Sequence, residues 1–132
     1  MSVTFDTNVL LSATLWDGSV AQKLLFELIK KEIKIYSTPS IISEYQRVLK
    51  RDFDFSEKEI AEILEKVLSF VIMVNPNLKV ELVKDDPDDK KIIGCALESK
   101  SEYLLTYDQH LLKLKEIQGI RIITPEEART II

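Results

Sequence analysis

Five short β-prone runs, at residues 2–5, 33–36, 70–74, 103–106 and 120–123, alternate with stretches of helical periodicity. This alternation constrains the fold more than any other feature of the chain. Ser19-Val20-Ala21-Gln22 and Ser56-Glu57-Lys58-Glu59 have the form of capping boxes, in which the first and fourth side chains satisfy each other's orphan amides. Thr38-Pro39, Asp86-Pro87 and Thr124-Pro125 each put a capping residue before a proline at the first helical position. Asp108 is placed to cap a short helix that Gly119 then follows. Strands that alternate with helices predict an α/β fold, a single three-layer α/β/α domain with a mainly parallel five-stranded sheet. The 132 residues suffice for one core and carry no repeat, low-complexity segment or linker; the longest irregular stretch is 75–86.

Composition narrows the class further. With 45% hydrophobic and 30% charged residues the chain is expected to be globular rather than disordered. No apolar run reaches the ~18–20 residues of a membrane span, and the N-terminus lacks the order of a signal peptide. The one cysteine, Cys95, cannot form an internal disulfide, so a cytoplasmic protein without a membrane partner is expected. The net charge of −4 argues against a protein that coats duplex nucleic acid. It is compatible with a nucleic-acid enzyme whose acidic site is neutralised by divalent cations.

Within VTFDTNVLLS an apolar run is interrupted by Asp6 and Asn8 and then resumes. Ligands of open parallel sheets bind outside the carboxyl ends of the strands, and Asp6 ends the first strand, which in such sheets is usually central. Three further acids occupy informative positions. On the helix beginning TPSIISEYQRVLK, the predicted buried stripe is Ile41, Tyr45, Val48 and Leu49. Glu44 falls about 40° from Val48 at about 100° per residue, so it borders that stripe. In DDPDDKKIIGCALES, Asp89 precedes Ile92, Ile93, Cys95 and Ala96 at spacings that place it on the same face. Asp88 falls nearer the margin, Asp86 at the cap and Asp85 before the helix. Asp108, in YLLTYDQHLL, follows the fourth strand.

Each acid also has an ordinary explanation. Glu44 could be a solvated helix residue, the acids around Pro87 suit a helix N-terminus, and Asp108 suits a cap. Taken together, Asp6, Glu44, Asp89 and Asp108 belong to different segments yet are all expected at the carboxyl edge of one sheet. Clustered carboxylates repel one another unless cations intervene, and oxygen-only ligands suit Mg²⁺ or Mn²⁺ rather than zinc.

FDTNVLLS, SEY, DPDDKKIIGCAL and YLLTYDQHLL, in this order, resemble the PIN-domain ribonucleases, most of all the stand-alone toxins of prokaryotic toxin–antitoxin pairs. The likeness spans nearly the whole chain. It implies a metal site of Asp6, Glu44, Asp89 and Asp108 holding one or two Mg²⁺ or Mn²⁺ ions, with Asn8 and Thr106 supporting the acids. The resemblance further implies an endoribonuclease acting on RNA, a homodimer, and a small antitoxin protein as partner. His110 departs from the pattern, since many members carry a further acid there; a surface or rim position is expected for it. Lys23, Lys30, Lys31 and Lys34 form one basic group and Arg47, Lys50 and Arg51 another, each either a solvated face or a phosphate contact. Trp16 is either a cap on the core or an exposed anchor.

Two other classes compete with this reading. A phospho-acceptor receiver domain needs an acceptor aspartate on its central strand and a lysine after its fifth. The runs at 70–74 and 120–123 lead instead to Asn75-Pro76 and Thr124-Pro125, and an Asp-x-Asp phosphohydrolase fails because position 8 holds Asn8. A catalytically silent PIN-like domain that binds RNA or protein stays open.

Overall fold

The computed structural model describes the backbone of residues 1–76 and 87–132 and the side chains of 1–76 and 89–132. The chain runs β1 (Ser2–Phe5), α1 (Thr7–Leu15), α2 (Val20–Lys30), β2 (Lys34–Ser37), α3 (Pro39–Arg51), α4 (Glu57–Phe70) and β3 (Val71–Met73). It continues through α5 (Pro87–Ser99), β4 (Tyr103–Leu105), α6 (Gln109–Leu112), β5 (Glu116–Ile117), β6 (Ile120–Ile123) and α7 (Pro125–Ile131). The strands form one sheet in the order β3-β2-β1-β4-β6-β5. Every pairing is parallel except that of β5 with β6. The mainly parallel α/β architecture is thus as the alternation predicts, with six strands instead of five. The extra strand has two residues and owes its existence to β6, against which Ile117 pairs with Ile120.

Gly119 does not follow a helix end. It forms, with Gln118, the two-residue turn of the β5–β6 hairpin, at φ +85° and +47° respectively. Left-handed backbone at both central positions is what a tight hairpin turn requires, and glycine adopts it without a Cβ penalty.

The helices begin largely where their caps direct. Ser56 and Glu59 close a full capping box on α4, as do Thr124 and Glu127 on α7. Ser19 caps α2 by accepting from the Gln22 N–H, but the expected box is incomplete. The Gln22 side chain accepts from the Gly18 N–H at 2.8 Å instead of from Ser19. The cap expected of Asp86, the place of Asp85 before the helix and the side chain of Asp88 lie outside the described residues.

Alternation along the strands divides the core into two layers. Val3, Phe5, Ile35, Leu105 and Ile123 pack with α1, α2, α4 and α7 on one face. Leu104, Ile120 and Ile122 pack with Ile92, Ile93, Cys95 and Ala96 of α5 and Leu111 of α6 on the other. Helix α3 serves both: Ile41 joins the second layer, whereas Ile42, Tyr45 and Leu49 join the first. On the second face Thr4 Oγ1 is 2.8 Å from Ser101 Oγ and 3.7 Å from Cys95 Sγ. Burial pushes the Cys95 thiol up to about 11, so it packs as an inert group rather than a nucleophile. No helix among the described residues is long and apolar enough to cross a membrane.

Candidate functional site

The strand order reverses at β1, whose neighbours are β2 on one side and β4 on the other. A crevice opens at such a switch point because the connections leave in opposite directions. A cleft of about 270 Å³ lies at this edge, lined by Asp6, Thr7, Asn8, Leu11, Glu44, Val48, Asp89 and Asp108. The four acids singled out in the sequence therefore face one space. Asp6 arrives from the end of β1, Glu44 from α3, Asp89 from the first turn of α5, and Asp108 from the loop after β4.

Asp6 is held by its surroundings on both oxygens. Its Oδ1 accepts from the Thr7 N–H at 2.7 Å and its Oδ2 accepts from the Thr106 hydroxyl at 2.6 Å. Asp6 is also the cap of α1, a role the sequence did not suggest because the apolar run conceals the helix start. The Thr106 oxygen accepts in turn from the Asp108 N–H at 2.9 Å, so one hydroxyl joins the two acids. Asp108 caps α6 through an Oδ1 bond from the His110 N–H. Asn8 Oδ1 accepts from the Tyr107 N–H at 3.3 Å and ties the start of α1 to the end of β4.

The electrostatics follow from burial. Asp6 is buried, and desolvation pushes its carboxyl up from 3.8 to about 6. Bonds from Thr106 and Thr7 resist the rise, while the charges of Asp108 and Glu44 add to it. Asp89 is 4% exposed, a burial that a carboxylate tolerates only with partners. Among the described residues, no lysine or arginine lines the cleft.

This donor set fits a hard divalent cation, being made of carboxylate oxygens with neither imidazole nor thiolate. The fit is one of chemistry and placement. Among the described residues no three acid, histidine or cysteine side chains are already gathered as an ion's ligand set.

The structure redraws the expectation for Val48 and places the other residues singled out in the sequence. Val48 is only half-buried and belongs to the cleft wall beside Glu44, not to the buried stripe, whose place Ile42 takes. His110 is exposed and outside the cleft lining. Trp16 is 49% exposed and packs edge-on against Phe53 at 5.8 Å, which stacks on Phe55. Arg51 donates to Asp52 through Nε at 2.7 Å and through a terminal guanidinium nitrogen at 3.0 Å, and Lys50 lies 4.0 Å from Glu57. Part of the second basic group therefore has acidic neighbours of its own. Thr7 is a cleft residue that sequence reasoning missed, since a threonine at a helix start carries no signal beyond its propensity.

The sequence model of the PIN domain family matches residues 2–110. The chain belongs to the PIN domain family. This PIN domain is 32% identical over 120 residues to protein MJ1680 of Methanocaldococcus jannaschii, itself uncharacterized; the match covers 88% of this chain and 76% of that protein. Its fold is similar to that of a chain in the crystal structure of VapBC2 from Rickettsia felis bound to a DNA fragment from their promoter. That superposition has a TM-score of 0.68 with 19% identity, over 92% of this chain and 97% of the other.

The Thr106 bridge makes a specific prediction. Thr106→Val keeps the side-chain volume but removes the bond to Asp6 and the acceptor of Asp108 N–H. Urea unfolding at pH 7.5 should show a loss of about 1–3 kcal/mol. The loss should shrink at pH 4, where Asp6 is protonated and needs the donor less.

Proposed function

We propose that this PIN domain is a metal-dependent endoribonuclease that hydrolyses RNA phosphodiester bonds at the acidic cleft. The observation that carries the reading is the meeting of Asp6, Glu44, Asp89 and Asp108 in one cleft, with no cationic side chain in its lining among the described residues. These four residues would hold one or two Mg²⁺ or Mn²⁺ ions. When bound, such a cation supplies positive charge for the phosphate oxygens and eases the deprotonation of water.

The protein's own part is to position charge. Thr7 and Thr106 fix both Asp6 oxygens, and Thr106 couples Asp6 to the loop that bears Asp108. Asn8 holds the β4 end against α1. Such bonds keep carboxylates in their working rotamers, so little reorganisation remains when substrate arrives. Glu44 acts as a ligand or orients the attacking water. Water adds to phosphorus, the bond from phosphorus to the 3′ oxygen breaks, and that oxygen leaves as a hydroxyl after gaining a proton. The products carry a 5′-phosphate and a 3′-hydroxyl.

In the cell the domain would serve as the toxin of a toxin–antitoxin pair in the cytoplasm, as a homodimer restrained by a small antitoxin. The resemblance of FDTNVLLS and YLLTYDQHLL to such toxins supports this, and the fold is shared with a chain of the VapBC2 complex.

Single-stranded RNA oligonucleotides of mixed sequence, incubated with Mg²⁺ or Mn²⁺, test the reading. Parent protein should cut them, EDTA should stop cleavage, and Asp89→Asn should lower the rate by about a hundredfold or more. Equal rates for parent and variant would sink the assignment of the site. If neither protein cuts and calorimetry detects no Mn²⁺ binding, the domain is a silent RNA- or protein-binding relative.

A further inference from the structure

Thr7 touches two of the four acids with two different groups. Its N–H donates to Asp6 Oδ1, and its hydroxyl donates to Glu44 Oε2 at 3.0 Å. A helical threonine ordinarily turns its hydroxyl back to the carbonyl four residues earlier, as Thr14 does to Leu10. Thr7 is the first residue of α1, where no preceding turn offers that carbonyl. The cap is already supplied by Asp6, so α1 does not need the Thr7 hydroxyl. Its partner instead lies 37 residues away on α3.

The two ends of this bond differ in freedom. Thr7 is 7% exposed and sits on a helix start, whereas Glu44 is a long, half-buried side chain on the cleft wall. A donor fixed in the backbone frame selects among the rotamers of the longer side chain, and it engages only Oε2. The other oxygen, Oε1, is not used by this bond.

We propose that Thr7 is a positioning residue whose hydroxyl fixes the Glu44 carboxylate and thereby sets how tightly the cleft binds a divalent cation. The proposal rests on the reading of the cleft as a cation site.

The test is a mutant cycle over Thr7→Val, Thr7→Ser, Glu44→Ala and the Thr7→Val/Glu44→Ala pair. Mn²⁺ affinity is read by calorimetry, and unfolding in urea is read without metal. Thr7→Val should weaken Mn²⁺ binding about tenfold, and Thr7→Ser, which keeps the hydroxyl, should stay within about threefold of the parent. With Glu44→Ala already present, Thr7→Val should change Mn²⁺ affinity less than about twofold. The metal-free unfolding constants should show the same non-additivity. Parent-like Mn²⁺ binding by Thr7→Val, or an equal loss in both backgrounds, would overturn the proposal. If the parent binds no Mn²⁺, the cation reading fails and takes the affinity claim with it. The metal-free cycle then decides whether Thr7 positions Glu44 at all, with additive effects ruling it out.

Discussion

Asp6→Asn is expected to make the metal-free protein more stable at pH 7.5 while lowering the proposed RNA cleavage about a hundredfold or more. Burial is the largest cause of the rise of the Asp6 carboxyl from 3.8 to about 6, and the charges of Asp108 and Glu44 push the same way. The folded protein therefore holds this proton more tightly than the unfolded chain does. Between 3.8 and about 6 the native state carries the extra proton, so stability falls as pH rises through that window and stays low above it. A displacement of this size corresponds to about 3 kcal/mol at neutral pH. The amide substitute carries no charge and keeps one acceptor oxygen, but it loses a charge-assisted bond, leaving a net gain of about 1–2 kcal/mol.

Urea unfolding in EDTA at pH 7.5 and at pH 4 measures this directly. The variant should exceed the parent at pH 7.5, and the difference should vanish or reverse at pH 4. A variant less stable than the parent at pH 7.5 would mean that the bonds from Thr7 and Thr106 more than offset burial. Saturating Mn²⁺ should then stabilise the parent and leave the variant nearly unchanged, because only a state that binds the ion gains from it. Cleavage by the variant should fall about a hundredfold or more. Stability gained where activity is lost marks a residue held in place for its chemistry.

Leu104→Ala should have the largest effect on folding. Leu104 is fully buried on β4, between β1 and β6, in the layer formed with Ile92 and Ile93 of α5 and Leu111 of α6. Removing its branched end deletes transfer energy and leaves a cavity that rigid neighbours fill only in part, at a cost of about 2–5 kcal/mol. Against a total of about 5–15 kcal/mol this is a large share. The urea midpoint should drop with the slope unchanged. A loss under about 1 kcal/mol would show that this face repacks freely. The same layer carries α5 and hence Asp89, so its looseness would reach the cleft.

Local signals account for what could be read in advance. β1 and β6 coincide with their predicted runs because each is a short β-prone segment that ends at the capping residue of the next helix, Asp6 and Thr124. β2 starts one residue later than predicted, since the Ile33 N–H bonds to Leu28 O at the close of the preceding helix. β5 was not legible, because a two-residue strand is defined by its partner and not by its own pattern. Val48 fell in the wrong class for a related reason. Periodicity identifies the inward side of α3, but the sheet edge decides where that side ends and the cleft begins.

The sequence by itself determined the alternation of strands and helices and the positions of Asp6, Glu44, Asp89 and Asp108 relative to the elements they flank. Both depend on residues within a turn or two of one another. Only the tertiary structure decided that these acids share one cleft and which hydroxyls hold them. Thr7 reaches Glu44 across 37 residues and Thr106 reaches Asp6 across 100. Such contacts follow from strand order and from how α1 and α3 pack over the sheet edge, and no local pattern encodes a distance of that kind.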